Sequence, residues 1–348
     1  LPGRPALFAA SLAGIAAFAA IGFTGMVGYW ESRYERVLSS LPPAILNAAS
    51  DKNDNGHCLR SANDFSIERA IKYCSIQTDA KRTVVLLGDS HADHYAAALR
   101  YGAKEIGYDF YQFTASSCAP FEDFKGIDRD CSKYAADVEN WLITSQPEVI
   151  ILSNRWTVYF EGSRFVNGEG GVELGEVNSY LLDDLQPGTE SYKRALTDRI
   201  DNASKVFPEK SAIILVYPSP EAGWNVPQYL QKLVLSGRVE PDNPVLSTSY
   251  DMFLKRNSST MKYLDKLQAT EFIRFHPHQY LCDTEIKERC LNAWDGKILY
   301  YDDDHFSTSG ALFIAPHLLA KVNDAFKTIC TFGVGMKSQT PPMADCSP

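Results

Sequence analysis

Five short apolar runs, separated by longer helix-like stretches, constrain the fold of this chain most strongly. The runs lack the polar alternation of a strand with one wet face, and strands buried on both faces are typical of parallel sheets covered by helices. The sequence therefore predicts an α/β fold with three layers, α/β/α, around a mostly parallel five-stranded sheet. The predicted strands are Thr83 to Leu87, Asp109 to Phe113, Val149 to Leu152, Ala212 to Tyr217 and Phe272 to Phe275. The predicted helices are Ala92 to Lys104, Cys131 to Ser145, Glu190 to Val206 and Tyr250 to Leu267.

A serine follows the first predicted strand in "VVLLGDSHADHY", residues 84–95. Ligands of such sheets bind at the carboxyl ends of the strands, where loops meet helix N-termini. Ser90 is therefore expected at this edge, where it is well placed to act as a nucleophile. Strand-to-helix turns also need an N-cap, so capping by Asp89 or Ser90 is the alternative interpretation of this segment.

A base for such a serine is offered by "YYDDDHFSTSGALF", residues 300–313. Asp302 and His305 are three positions apart on a loop, which lets the carboxylate orient the imidazole and support its charge. Ser307 or Thr308, followed by an apolar periodic run, indicates that a helix begins directly afterwards. A serine nucleophile needs a base and the base needs an orienting group, and the two segments supply all three.

Together, Gly88-Asp89-Ser90-His91 and Asp302-x-x-His305 resemble the SGNH (GDSL-like) hydrolase superfamily. The pair is most similar to the C-terminal SGNH domain of acyltransferase-3 membrane O-acetyltransferases, over about residues 81 to 328. The resemblance implies an SGNH/flavodoxin-like sheet and a catalytic triad of Ser90, Asp302 and His305. It also implies an oxyanion hole made by the Ser90 N–H and by Asn154 of "ILSNRW".

The segment "TASSCAP", residues 114–120, departs from the family pattern. The family normally has a glycine here whose N–H faces the oxyanion. A backbone N–H of Ser116 or Ser117, with Ser117 preferred, is expected to serve instead, since the chemistry needs a donor and not a particular side chain. A missing donor would cost about 3–4 kcal/mol of transition-state stabilisation.

The resemblance implies an O-acyltransferase that acetylates hydroxyls of an extracytoplasmic polysaccharide, such as lipopolysaccharide O-antigen or exopolysaccharide. No cofactor is expected in the domain itself; acetyl-CoA would be the ultimate acyl donor, through an upstream acyltransferase-3 membrane domain. A membrane-tethered carbohydrate esterase, or a non-catalytic glycan-binding module, are the alternatives. A net charge of -9 argues against nucleic acid as a partner.

The N-terminal segment has no charged residue from Pro5 to Trp30. As a helix it is long enough to cross a bilayer, which predicts a transmembrane helix within residues 1–30, the end of an upstream membrane domain. A signal peptide is the alternative. Residues 31–80 are interpreted as a linker or extension, and 81–348 as the SGNH domain. Because Arg4 is the only charge on the near side, the N-terminus is expected in the cytoplasm.

The eight cysteines form couples close in sequence. An even number behind a membrane span favours disulfides in an oxidising compartment, here the periplasm outside a bacterial inner membrane. Buried free thiols are the alternative, and zinc is less favoured because no Cys-x-x-Cys occurs. Eight cysteines allow about 105 pairings, so pairing of neighbours is a preference. The preferred pairs are Cys58 with Cys74, Cys118 with Cys131, Cys282 with Cys290, and Cys330 with Cys346.

Two further groups of polar residues lie near these motifs. His91 and His94 share a helical turn, and a structural or supporting role is favoured over metal binding, so no metal site is predicted. Arg155 and Trp156, beside Asn154, are candidates for gripping a sugar ring. Packing within the loop is the alternative for this pair.

Overall fold

The computed structural model describes most of the 348-residue chain. The described residues are 3–26, 39, 41–53, 57–78, 80–121, 125–126, 129–173, 175, 180, 182, 184–268 and 272–335. The strands are β1 (Leu59–Arg60), β2 (Thr83–Gly88), β3 (Asp109–Ala115), β4 (Lys125–Gly126), β5 (Arg129–Asp130), β6 (Val149–Ser153), β7 (Ala212–Val216), β8 (Leu246–Ser249), β9 (Phe272–Phe275), β10 (Arg289–Trp294) and β11 (Lys297–Ile298). The α-helices are α1 (Arg4–Met26), α2 (Pro43–Asn47), α3 (Ile67–Cys74), α4 (Ser90–Asp93), α5 (Ala96–Gly102), α6 (Ser132–Ser145), α7 (Trp156–Glu161), α8 (Glu190–Ala203), α9 (Val226–Leu235), α10 (Tyr250–Leu264), α11 (His278–Leu281) and α12 (Thr308–Gly335).

Within the described residues, six strands form the central sheet in the order β1-β3-β2-β6-β7-β9. Every neighbouring pair in it is parallel. Alternate side chains of each strand point to opposite faces, so Val84 and Leu86 belong to one core while Val85 and Leu87 belong to the other. Helices α5 and α12 cover the first face, and α6 and α8 cover the second. This is the predicted three-layer α/β/α arrangement with a mostly parallel sheet.

The register of the sheet brings three strand ends to one edge. Gly88, at the end of β2, lies opposite Thr114 of β3 and Ser153 of β6. The residues that follow these strands therefore meet at the same edge. They include Ser90, Ser117 and Asn154, which the sequence analysis singled out.

The sheet has one strand more than the five predicted. The additional strand, β1, pairs with Thr114 and Ala115 of β3 and lies in the segment interpreted as a linker. Two residues are too few to show a periodic pattern, so the sequence could not indicate it. A separate antiparallel sheet, in the order β11-β10-β8, was also not predicted.

Two of the predicted helices are divided in the structure. The stretch Ala92 to Lys104 begins within the short helix α4, continues as α5 and ends in a π-helical turn at Ala103–Gly107. The stretch Glu190 to Val206 ends as a 3₁₀ turn at Ser204–Val206.

Helix α1 covers most of the segment predicted to span a membrane. Among the residues that the structure describes, no helix combines the length and apolar character needed to cross a membrane. The span predicted within residues 1–30 is therefore not confirmed. Residues 1–2 and 27–30 of this segment lie outside the described part of the chain.

Candidate active site

Ser90 and His305 meet at the carboxyl edge of the sheet. The His305 Nε2 atom lies 2.8 Å from the Ser90 Oγ atom, although the two residues are 215 positions apart. Ser90 begins α4 directly after β2, and His305 lies on the loop that leads into α12. The contact is what a serine nucleophile and its base require.

Asp89 is the N-cap of α4, which answers the question left open by the sequence. Its Oδ1 atom accepts a hydrogen bond of 2.8 Å from the His91 N–H. Its Oδ2 atom accepts one of 2.9 Å from the Arg155 N–H and another from the Tyr159 hydroxyl. Because Asp89 caps the helix, the hydroxyl of Ser90 is not needed for capping and is paired with His305.

Two carboxylates approach the other ring nitrogen of His305. Asp302 Oδ2 forms a hydrogen bond of 2.9 Å with Nδ1, and Asp304 Oδ1 lies 2.7 Å from the same atom. Asp302 Oδ1 also accepts hydrogen bonds from the backbone N–H groups of Asp304 and His305, and these bonds fix the turn of the loop. The sequence predicts a role for Asp302 but not for Asp304, because nothing in a run of three aspartates shows which of them face inward.

The charges of these groups support one another. Burial alone would lower the pKa of His305, but Asp304 and Asp302 raise it well above its usual value. Burial alone would raise the pKa of Asp304, but His305 and Arg155 lower it well below its usual value. The site therefore stabilises a protonated His305. A histidine that acts as general base needs this stabilisation, because it is protonated once it has taken the proton of serine.

Arg155 contacts a buried cluster of acids. Its Nη2 atom lies 2.6 Å from Asp304, 2.8 Å from Glu173 and 3.0 Å from Glu221. Arg256 forms a further ion pair of 3.1 Å with Glu221. The guanidinium of Arg155, which was expected to contact a sugar, thus forms ion pairs with three carboxylates. Arg155 also lines the cavity.

Trp156 lies in the core and does not reach the surface. Its side chain is fully buried and its Nε1–H donates to the carbonyl oxygen of Val216 in β7. The expectation that Trp156 contacts a sugar is therefore corrected. The sequence could not distinguish an aromatic residue of the binding edge from one of the core, since both follow a strand.

The candidate oxyanion-hole residues lie at the ends of β3 and β6. The side chain of Asn154 is buried, and neither of its amide atoms has a hydrogen-bond partner among the described residues. Ser117 adopts a φ of 53°, the left-handed conformation that favours glycine, so a serine takes the conformation expected of the family's glycine. The N–H of Ser116 donates to the carbonyl oxygen of Arg60 in β1.

A cavity of about 220 Å³ opens beside Ser90 and His305. The ring of Tyr301 stacks on that of His305, with centroids 5.4 Å apart and planes 4° apart, and covers one side of the imidazole. The Lys52 ammonium lies 4.8 Å above the ring of Tyr301. The residues lining the cavity are Leu59, Asp89, Ser90, Ser116, Ser117, Arg155, Val158, Tyr159, Tyr301 and His305.

The family model described as "SGNH domain (fused to AT3 domains)" matches residues 57–320. The chain belongs to this SGNH family. The match begins before β1 and ends within α12, so it contains every strand described above. No curated protein sequence matches the chain at a significant level.

Solved structures similar to this SGNH domain include the periplasmic domain of a lipopolysaccharide acetyltransferase from Salmonella ser. Paratyphi A. It is 18% identical with a TM-score of 0.54, and the match covers 82% of this chain and 99% of that one. At this identity the likeness concerns the fold alone. A carbohydrate esterase (12% identity, TM-score 0.32, covering 72% of this chain and 67% of that one) and a family two carbohydrate esterase from Clostridium thermocellum (10%, 0.32, 71% and 65%) are more distant and carry no argument.

Three disulfides of the SGNH domain join cysteines that are neighbours in sequence. They are Cys58–Cys74, Cys118–Cys131 and Cys282–Cys290, three of the four preferred pairs. The first fastens β1 to α3, and the second closes the segment that follows Ser117. The fourth couple cannot be compared, because Cys346 and the side chain of Cys330 lie outside the described residues.

His91 lies in α4, and His94 directly follows that helix. Both side chains are buried near His305. His91 Nε2 lies 3.2 Å from Asp304, and His94 Nδ1 accepts a hydrogen bond of 3.3 Å from the Phe306 N–H. Burial holds the pKa of His94 well below its usual value. Ligand atoms of His91, Asp304 and His305 lie within 4.8 Å of one another, a spacing that suits a cation. Arg155, 2.6 Å from Asp304, opposes a second positive charge there.

Proposed function

We propose that this SGNH domain is an O-acyltransferase that moves an acetyl group to a hydroxyl of an extracytoplasmic polysaccharide through Ser90. The observation that carries the proposal is the 2.8 Å contact between Ser90 Oγ and His305 Nε2, beside an open cavity. Asp302 orients the imidazole from its other side, so Ser90, Asp302 and His305 are the proposed triad. Lipopolysaccharide O-antigen and exopolysaccharide are the acceptors we favour.

The proposed reaction has two half-reactions. His305 takes the proton of Ser90 while the serine oxygen attacks the acyl carbonyl, and the protonated ring then gives that proton to the leaving group as the ester on Ser90 forms. His305 next takes a proton from the acceptor hydroxyl, which attacks the ester, and the proton returns to the Ser90 oxygen as the bond to the acyl group breaks. The N–H groups of Ser90 and Ser117 and the amide of Asn154 are the proposed donors to both oxyanions.

The family supports a proposal for the acyl donor and for the location of the domain. SGNH domains of this family are described as fused to AT3 domains, so we propose that an acyltransferase-3 membrane domain joined to this chain supplies the acyl group, ultimately from acetyl-CoA. Disulfides are typical of oxidising compartments, which supports a location in the periplasm of a protein of the bacterial inner membrane. The similar Salmonella structure is the periplasmic domain of a lipopolysaccharide acetyltransferase.

The acceptor is proposed to lie against the apolar side of the cavity. Leu59, Val158 and Tyr301 line it, and an aromatic ring beside a polar site suits the face of a sugar. Tyr301, and not Trp156, is therefore the aromatic residue that we propose contacts the sugar. Arg155 acts from the cavity wall by holding Asp304, as argued below.

Transfer is tested with the chain, an aryl acetate as donor and a polysaccharide as acceptor. We expect acetyl ester on the sugar and none in the Ser90→Ala variant. Release of acetate alone, still dependent on Ser90, would instead indicate the membrane-tethered esterase. Equal rates for the wild type and Ser90→Ala, with retained glycan binding, would indicate the non-catalytic module and contradict the proposal.

A further inference from the structure

His305 Nδ1 is approached by two carboxylates, whereas a triad needs one. The hydrogen bond to Asp302 Oδ2 is 2.9 Å long, and Asp304 Oδ1 lies at 2.7 Å. Both atoms are within contact distance of one imidazole nitrogen, so both negative charges act on a protonated His305.

The two carboxylates differ in exposure. The side chain of Asp302 is 28% exposed and that of Asp304 is 4% exposed. A buried charge is screened less by water, so at equal distance Asp304 interacts more strongly with the imidazolium. Asp302 in addition uses Oδ1 to hold the backbone of its own loop. Asp302 is thus partly a loop-forming residue, and Asp304 is the more buried charge.

Arg155, together with His305, keeps Asp304 charged when it is buried. Its Nη2 atom lies 2.6 Å from Asp304 Oδ2, whereas Oδ1 is the oxygen that lies near His305. The backbone N–H of Arg155 binds Asp89, the cap of the helix that begins with Ser90. Arg155 therefore joins the serine turn, through its main chain, to the histidine loop, through its side chain.

We propose that Asp304, held by Arg155, is a positioning residue that shares with Asp302 the orientation of His305 and the stabilisation of its imidazolium. The inference rests on the proposed Ser90–His305 chemistry and adds a second carboxylate to it. His305 is thereby held from two directions.

The test compares Asp302→Asn, Asp304→Asn and the double variant, with Asp303→Asn as a control from the same run of aspartates. Two readouts are used: kcat/KM on 4-nitrophenyl acetate across pH, and the NMR titration of the His305 ring, assigned with His305→Gln. The charged and titratable groups that face His305 or its partners are Asp302, Asp304, Tyr301, His91, His94 and Arg155.

If Asp302 and Asp304 both support His305, each single variant should lose less kcat/KM than the roughly 10⁴-fold typical of a lost triad aspartate. The double variant should lose the full factor. The midpoint of His305 is expected to fall in Asp304→Asn relative to Asp303→Asn. In Asp302→Asn it is expected to stay above the usual value of about 6.5, because Asp304 remains. This second comparison does not require Asp304→Asn to fold.

A His305 midpoint and pH profile of Asp304→Asn equal to those of Asp303→Asn would overturn the inference. So would a full 10⁴-fold loss in Asp302→Asn with its midpoint at or below 6.5. Failure of the proposed function has a different signature, namely equal rates for Ser90→Ala and wild type. The NMR titration decides the role of Asp304 in that case too.

Discussion

Gly88 passes so close to Ser153 that a Cβ atom on the glycine would lie 1.7 Å from the Ser153 carbonyl oxygen. Gly88 has a φ of 142°, within the range that side chains rarely adopt. This contact joins the ends of β2 and β6, the strands that carry Ser90 and Asn154 to the site. The glycine of the Gly-Asp-Ser-His motif is thus required by the sheet, one residue before the site begins.

Gly88→Ala is expected to lower the free energy of unfolding by at least about 3 kcal/mol, because overpacking and backbone strain add. Gly107→Ala is the matched control, since Gly107 also has a positive φ, 77°, but nothing lies near the position of its Cβ. That variant should lose only about 1–2 kcal/mol. Urea unfolding measures both, and equal losses would show that the contact with Ser153 does not matter.

Asn154→Ala is expected to reduce kcat on 4-nitrophenyl acetate by about 10²–10³-fold, the usual effect of removing an oxyanion donor. Little stability should be lost, because no described residue pairs with the Asn154 amide. Asn292→Ala in β10 is the control, since that buried side chain also has no partner in the described structure. If the two variants have the same kcat, Asn154 is not an oxyanion donor.

The pH dependence of hydrolysis follows from the charge of His305. His305 must be neutral to take a proton from Ser90, and Asp304 and Asp302 hold its pKa well above the usual value despite burial. The rate is therefore expected to rise with pH and to reach its midpoint above about 6.5. The same raised pKa contributes stability that is present at low pH and is lost as pH rises through it. A midpoint in kcat/KM at or below 6.5, after subtraction of the Ser90→Ala rate, would contradict this account.

Arg155→Met is expected to destabilise the fold by about 3–5 kcal/mol, because it removes the cation that three buried carboxylates share. The carboxylates would then have raised pKa values in the folded state, so the loss should shrink as pH falls through those values. Arg289→Met is the control, since its pair with Glu169 is partly exposed and is expected to contribute about 1 kcal/mol or less. Equal urea midpoints for the two variants would be inconsistent with a central role for Arg155.

The sequence predicts the parts of this fold that depend on local pattern. All five apolar runs are strands of the sheet, since a strand buried on both faces is rich in apolar residues. The short strand β1 and the small antiparallel sheet have no such apolar pattern, so the sequence does not predict them. The first has only two residues, and β8 is the polar run Leu246–Ser249, held by its pairing with β10.

The site residues also divide into those that the sequence predicts and those that depend on packing. The resemblance identified Ser90, Asp302 and His305, and the structure brings the three together. The choice among three consecutive aspartates, and the inward turn of Trp156, depend on packing against distant elements. The left-handed conformation of Ser117 was also not predictable, because a glycine is usually needed for it.

Acylation of Ser90 tests the central claim most directly. The chain is incubated with 4-nitrophenyl acetate, quenched in acid, digested and analysed by mass spectrometry, with Ser90→Ala and His305→Gln in parallel. We predict one acetyl group on the peptide that contains Ser90, none on the corresponding peptide of Ser90→Ala, and much slower labelling in His305→Gln. Labelling spread over other residues, or at equal rates with and without His305, would contradict the account.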